Sequence, residues 1–251
     1  MASPVPTFAS STPEDLPEII YQDGFYLTSF RKAKRYLMQV YTNQKKTFYC
    51  ACNFTSDKQI DHASCGVQTR KNTKRSRRLE WEHIVPAHRF GSALSCWQAR
   101  DSFSQCQKAN GKTLSGRKCC RRVNKKFREM EADMVNLVPA VGEINGDRSN
   151  YPFGEIAGEA RKYGQCDIEI DFKNRLAEPN PDIRGNIARI YFYFEKKYGM
   201  TLTNSERSIL QAWHTEDPID KWELEKSLKV REMLVAIGKQ RQSAPSFAAN
   251  E

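Results

Sequence analysis

Eight cysteines, Cys50, Cys52, Cys65, Cys96, Cys106, Cys119, Cys120 and Cys166, constrain this chain more than any other feature. An even number in a loop-rich basic chain points to a disulfide framework and an oxidising compartment. The alternative use is zinc, whose sites typically show paired Cys-x2-Cys or His-x3-5-His spacing. No cysteine pair here has that spacing, and Cys50 and Cys52 stand too close for a usual zinc knuckle. A zinc-dependent module would show free thiols and stoichiometric zinc. Eight cysteines can pair in 105 ways, so spacing leaves the connectivity open. The adjacent Cys119 and Cys120 should bond different partners, because a bridge between neighbours is strained. Four of the cysteines fall between Gly91 and Lys126, a stretch with few apolar side chains. A connection that long stays ordered only with a function or with cross-links.

The 251 residues suffice for one or two domains. No linker-like stretch divides the middle, so a single domain over residues 16–238 is expected, with a Pro/Ser/Thr-rich disordered start over residues 1–15 and a loose tail over residues 239–251. Helical spacing of apolar residues runs through Thr28–Asn43, through Arg184–Tyr198 up to Gly199, and through Ile219–Ile237 up to Gly238. Thr203-Asn-Ser-Glu206 reads as a capping box opening a helix through Trp213. Residues 1–11 carry neither the basic start nor the apolar run of a secretory signal. No stretch approaches the ~20 apolar residues of a membrane span. Lys and Arg total 40 against 30 Asp and Glu, a net charge of +10. That balance favours a polyanionic partner, with solubility alone as the bland alternative.

The chemistry-bearing residues lie in two blocks. The first, Arg77-Arg-Leu-Glu-Trp-Glu-His-Ile-Val-Pro-Ala87, reads as a short strand ending near Pro86. Glu82 and His83 should point to opposite faces of it. The second, Asn136-Leu-Val-Pro-Ala-Val-Gly-Glu-Ile-Asn-Gly-Asp-Arg-Ser-Asn150, reads as a second strand around Asn136–Val138 and then a helix. Pro139 would open that helix, and Gly146 would shorten or bend it. Two strands and a helix make a ββα unit, about residues 78–150, that could bring Glu82, His83 and Asn145 together. Arg75, Arg77 and Arg78, in the basic run before the first strand, are candidate phosphate contacts, as is Lys118 beside Arg117. His62 lacks a partner at metal spacing and reads as a surface histidine, His88 as structural or a minor nucleic-acid contact, His214 as structural, and Glu131 and Asp133 as support for the unit.

These two blocks, with Gly116-Arg117-Lys118 and Met130-Glu131-Ala132-Asp133, resemble the endonuclease I family of periplasmic or secreted nucleases; the resemblance runs from about Phe48 to about Trp222. It implies a mainly helical α+β domain, stapled by disulfides around a ββα-metal (His-Me finger) core. Cys50, Cys52, Cys65, Cys96, Cys120 and Cys166 match family cysteines; Cys106 and Cys119 stand outside that set, which suggests that they bond each other. The implied activity is Mg²⁺-dependent, sequence-nonspecific cleavage of single- and double-stranded DNA, with RNA as a further candidate substrate, leaving 5′-phosphate ends. It would be carried by a monomer in the periplasm or outside the cell. The arginine at the position of Arg117 is implied to lie at the scissile phosphate.

Each role suits its side chain. An imidazole with an ordinary pKa of ~6.5 can take a proton from water near neutral pH, so His83 is the candidate general base. Glu82 and Asn145 offer one carboxylate and one amide oxygen, a donor set suited to Mg²⁺, or to Mn²⁺ or Ca²⁺ in its place. So few protein ligands favour a single ion; Glu143 and Asp147 lie near in sequence without forming a second cluster. Arg117 offers a planar bidentate clamp for a phosphate. The rival reading is a disulfide-stapled nucleic-acid-binding protein without catalysis, which would keep the basic surface but have no use for Glu82, His83 and Asn145 together.

Overall fold

The computed structural model of the protein describes residues 26–158 and 160–243, with side chains through Gln240. Its helices are α1 (Phe30–Val40), α2 (Thr73–Ser76), α3 (Ala87–Gly91), α4 (Ser95–Gln98), α5 (Gly116–Val123), α6 (Lys125–Glu131), α7 (Gly142–Arg148), α8 (Arg184–Tyr198), α9 (Asn204–Glu216) and α10 (Lys221–Ser243). Four strands, β1 (Leu79–His83), β2 (Leu137–Val141), β3 (Ile168–Asp171) and β4 (Leu176–Pro179), form two antiparallel pairs, β1 with β2 and β3 with β4. Buried side chains from Leu27 to Ile237 make one hydrophobic cluster around the first pair. The expected disordered start lies outside the described residues, as does the tail beyond Ser243.

The β1–β2 pair followed directly by α7 is the frame of the site. Leu79 faces Val141, Trp81 faces Pro139 and His83 faces Leu137. Pro139 is therefore a strand residue, not the first residue of the helix. The ladder explains why a proline is tolerated there. Gly142 N donates to Arg78 O at 3.0 Å and Ile84 N to Asn136 O at 3.1 Å. Hydrogen-bonded pairs alternate along an antiparallel ladder, which makes Trp81 and Pro139 a non-bonded pair, so the missing N–H costs no ladder bond. The Pro139 carbonyl turns outward and accepts from Phe48 N at 2.7 Å. Past the strand, the buried Asn136 side chain takes over the pairing: its Oδ1 accepts from Val85 N at 2.7 Å and its Nδ2 donates to Val85 O at 3.0 Å.

Two glycines let α7 lie close against the segment before β1. A Cβ on Gly142 would stand 2.6 Å from Arg75 O, and one on Gly146 only 1.9 Å from Arg75 Nη1. Gly146 thus serves close approach, and α7, at seven residues, is as short as its glycines suggest.

Four disulfides, Cys50–Cys166, Cys52–Cys65, Cys96–Cys120 and Cys106–Cys119, use every cysteine. The expected Cys106–Cys119 bridge is present, and Cys119 and Cys120 bond different partners. With no free thiol, the zinc reading fails. Two of the bridges lie within the long β1–β2 connection, tying Cys96 and Cys106 to Cys120 and Cys119 of α5, and the connection is a run of short helices in place of a wandering loop.

Further along, the capping box at Thr203 and Glu206 forms as read, and Gly199 closes α8 at φ +70°. Gly238 does not end α10, which runs to Ser243. A glycine inside a helix costs only about 1 kcal/mol, and Lys239, Gln240, Arg241 and Gln242 are all good helix formers. The β3–β4 hairpin was not read from the sequence, although Ile168-Glu-Ile-Asp171 alternates apolar and acidic residues as a strand should.

Candidate active site

Alternation along β1 sends Glu80 and Glu82 to one face and Leu79, Trp81 and His83 to the other. Asn145 and Arg148 are three residues apart on α7 and share its face, which lies over Glu80 and Glu82. The Asn145 Nδ2 donates to Glu80 Oε2 at 3.0 Å, and Arg148 Nη1 donates to Glu82 Oε1 at 2.8 Å. Arg148 is wholly buried, and it also donates to the carbonyls of His83 at 2.9 Å and Ile84 at 2.8 Å. It clasps the end of β1 to α7 and fixes the Glu82 carboxylate. Tyr49 adds a long hydrogen bond of 3.4 Å to the same Glu82 oxygen.

The Glu82 carboxyl is 3% exposed. Burial lifts its pKa to about 7, against the opposing pull of Arg148 and Tyr49. One arginine therefore incompletely offsets the desolvation of this anion, and a further cation would be favoured beside it. Asn145 complements it. A carboxylate only accepts hydrogen bonds, so the amide nitrogen must face Glu80, and Oδ1 is left as an acceptor without a protein partner among the described residues. Two hard oxygen donors of this kind fit a magnesium-like ion that keeps most of its waters. Among the described residues a second ion has no such donors. Glu143 accepts the backbone N–H groups of Arg70, Lys71 and Asn72, and Asp147 binds Arg70 and Tyr163. Among the described residues no three His, Cys, Asp or Glu side chains gather as a metal cage.

On the other face of β1, His83 is 7% exposed. Its Nε2 lies 3.0 Å from the Glu131 carbonyl, which can only accept, so Nε2 carries the hydrogen and Nδ1 the lone pair. Burial first, and the positive charge of Arg117 next, lower its pKa to about 4. The ring is therefore neutral near pH 7, with Nδ1 free to take a proton.

Glu131 does a second job. Its buried carboxylate accepts from Arg117 Nε at 2.7 Å and from Arg121 Nε at 2.7 Å. Burial pushes this carboxyl up, but Arg121 and Arg117 outweigh that and hold it below its ordinary value. One residue thus orients the base through its backbone and the arginine through its side chain. Bound through Nε, Arg117 keeps both Nη groups free of hydrogen-bond partners among the described residues, and its side chain is 39% exposed. The Phe30 ring stands 5.0 Å from the His83 ring and 5.8 Å from Arg117 Cζ.

The site residues expected from sequence therefore fall into two groups back to back at the end of β1: Glu82 with Asn145 under α7, and His83 with Arg117 around Glu131. No hydrogen bond joins Glu82 to Asn145, whose direct partner is Glu80. Of the expected phosphate contacts, Arg75 and Arg78 are occupied, both forming ion pairs with Glu80. Their sequence neighbour Glu80 is the carboxylate that claims them. Arg77 and Lys118 are exposed and form no ion pair among the described residues. His62 anchors to the Ser76 carbonyl at 3.0 Å, and His88 packs edge-on against Trp97. Asp133 ties the loop before β2 to Tyr193, Lys197 and Tyr198 at the end of α8. Arg148, Arg121 and Phe30 were missed by sequence reading, because nothing local distinguishes a buried or stacked side chain from an exposed one.

The profile of the endonuclease I family matches residues 18–235. The chain belongs to the endonuclease I family. It is 40% identical over 206 residues to a periplasmic deoxyribonuclease of Aeromonas hydrophila, covering 80% of each chain. An extracellular deoxyribonuclease of the same organism is 41% identical over 80% of this chain and 84% of its own. Endonuclease-1 of Buchnera aphidicola is 39% identical over 80% of this chain and 75% of its own. Membership of this family makes the chain a hydrolytic nuclease.

Proposed function

We propose that the protein is an exported, Mg²⁺-dependent endonuclease that hydrolyses phosphodiester bonds of single- and double-stranded DNA without sequence preference, leaving 5′-phosphate ends, with RNA as a further substrate. The observation that carries the reading is the double use of Glu131. It sets the His83 tautomer and aims Arg117, as a base and a phosphate clamp acting on one bond would require. Four disulfides and relatives named as periplasmic and extracellular support export. No described helix is long and apolar enough to cross a membrane. A ββα-metal core acting as a monomer completes the reading.

In this account His83 Nδ1 accepts a proton from the attacking water. Arg117 holds the scissile phosphate through its free Nη groups and balances the charge that grows on it. Glu82 and Asn145 would hold the ion, which supplies Lewis-acid stabilisation of the phosphate and the departing 3′ oxygen. Arg148 keeps Glu82 in place, and Glu80 keeps the Asn145 oxygen turned outward. A general base contributes ~10²–10⁴-fold, about 3–5 kcal/mol, while enzymes as a class lower barriers by about 8–23 kcal/mol. Loss of Glu82 should therefore hurt at least as much as loss of His83. Contacts to phosphates read backbone, not base edges, which supports lack of sequence preference.

Plasmid nicking tests the reading. Cleavage is expected with Mg²⁺, to cease in EDTA, and to fall at least a hundredfold in His83→Ala. Equal cleavage by His83→Ala and wild type would remove the proposed base. DNA binding without cleavage under every divalent ion would favour the non-catalytic binding protein.

A further inference from the structure

Beside the proposed active site, Lys34 feels the charge of three other cations, Lys58, Arg121 and Arg117, and of one carboxylate, Glu131. Lys34, on the second turn of α1, holds its Nζ 4.7 Å from the centre of the Phe30 ring. The same ring carries Arg117 and touches His83, so Lys34 and the phosphate clamp flank one aromatic side chain. Lys34 is half-buried, and its ammonium has no carboxylate partner or hydrogen bond among the described residues. Burial lowers its pKa first, followed by repulsion from Lys58, Arg121 and Arg117; only Glu131 opposes them. Glu131 is already engaged by Arg117 and Arg121.

A half-buried lysine gathered with three like charges and no carboxylate of its own costs stability. An anion at that spot would offset the repulsion. Because Arg117 and Lys34 stand against the same Phe30 ring, at 5.8 and 4.7 Å from its centre, a polyanion with regularly spaced charges fits better than an isolated ion.

We propose that Lys34 is a second phosphate contact on the cleaved strand, taking the phosphate neighbouring the one held by Arg117, with the intervening sugar against the partly buried Phe30 ring. This deepens the nuclease reading and rests on it for the position of the scissile bond. It gives α1, outside the ββα frame, a part in holding substrate, and the fit is to a strand of nucleic acid, not to a mononucleotide.

The salt dependence of DNA binding tests it. Each phosphate neutralised on duplex DNA contributes ~0.9 to the slope of log affinity against log salt. His83→Ala protein, held in Ca²⁺ with a fluorescent duplex, gives that slope with and without Lys34→Met. The substitution keeps the aliphatic stem over Phe30 and removes the charge. The expected result is a slope shallower by about one and affinity lower by roughly fivefold at 0.1 M salt, equally on unrelated sequences, with Lys34→Arg restoring both. Thermal stability at low salt should hold or rise in Lys34→Met, because like-charge repulsion is relieved. An unchanged slope overturns the proposal, as does a variant that loses stability and affinity together without a change of slope. The slope is a binding measurement, so it reads Lys34 even if His83→Ala should prove fully active and sink the catalytic reading alone.

Discussion

Replacing Arg148 by methionine should be among the most damaging single changes that leave the proposed base, clamp and ion ligands in place. The side chain is 0% exposed and holds three hydrogen bonds of 2.8 to 2.9 Å, to Glu82 and to the carbonyls of His83 and Ile84, with Phe153 stacked 4.2 Å from its Cζ. Methionine roughly keeps the volume, so the loss is electrostatic. Breaking a buried ion pair costs about 3–5 kcal/mol, because the remaining charge is left uncompensated. The two carbonyls add about 1 kcal/mol each. Part of that is recovered when Glu82 takes up a proton, so a net loss of about 4 kcal/mol is expected, a large share of a total stability of about 5–15 kcal/mol. Urea unfolding at pH 7, disulfides intact and EDTA present, measures it. In Arg148→Met combined with Glu82→Gln the stranded charge is gone, and the double variant should be more stable than Arg148→Met alone by about 2 kcal/mol. A loss below 1 kcal/mol, or additivity of the two changes, would refute the view that Arg148 exists to hold the Glu82 carboxylate.

Two other perturbations test the frame. Lys226 is 9% exposed, and burial above all lowers its pKa from 10.5 to about 8. Its proton is held more weakly folded than unfolded, so stability rises as pH climbs from about 8 to 10.5 and is reduced below that window by up to ~3 kcal/mol, at 1.36 kcal/mol for each pH unit. Lys226→Met should be more stable than wild type at pH 7, and the advantage should shrink by more than half at pH 9.5; an advantage independent of pH would contradict this. Among the disulfides, Cys50–Cys166 closes a 116-residue separation and Cys52–Cys65 one of 13. Loop entropy alone assigns about 4–5 kcal/mol to the first, since other bridges shorten its path, and about 3 kcal/mol to the second. Paired Cys→Ala variants compared by denaturant unfolding should keep that order; the reverse order would count against the chain-entropy account.

What could be read from the sequence, and what could not, divides by range. The capping box at Thr203, the Gly199 stop and the β1 strand are local patterns, and each forms as written. The separation of Cys119 from Cys120 follows from geometry, and their bridges lie within the long β1–β2 connection, a run of short helices. Pro139 misled because its strand role depends on ladder parity, which the partner strand sets. Gly238 misled because a helix former follows it at every position through Gln242. In the site, the residue types at Glu82, His83, Arg117 and Asn145 could be chosen from their chemistry, but their partners could not. Nothing near Glu82 signals Arg148, 66 positions away, and nothing near His83 signals the Glu131 carbonyl, 48 away. Arg75 and Arg78 looked like free phosphate contacts until Glu80, on the same face as Glu82, was seen to hold both.

The claim on which the mechanism rests is that α7 and β1 enclose one divalent ion between a carboxylate and an amide oxygen. Anomalous diffraction from crystals soaked in Mn²⁺ tests it most directly. One strong peak bonded to both Glu82 and Asn145 Oδ1, and absent in Glu82→Gln, is the predicted result. A peak held by Glu143 and Asp147, or one that persists in Glu82→Gln, would contradict it.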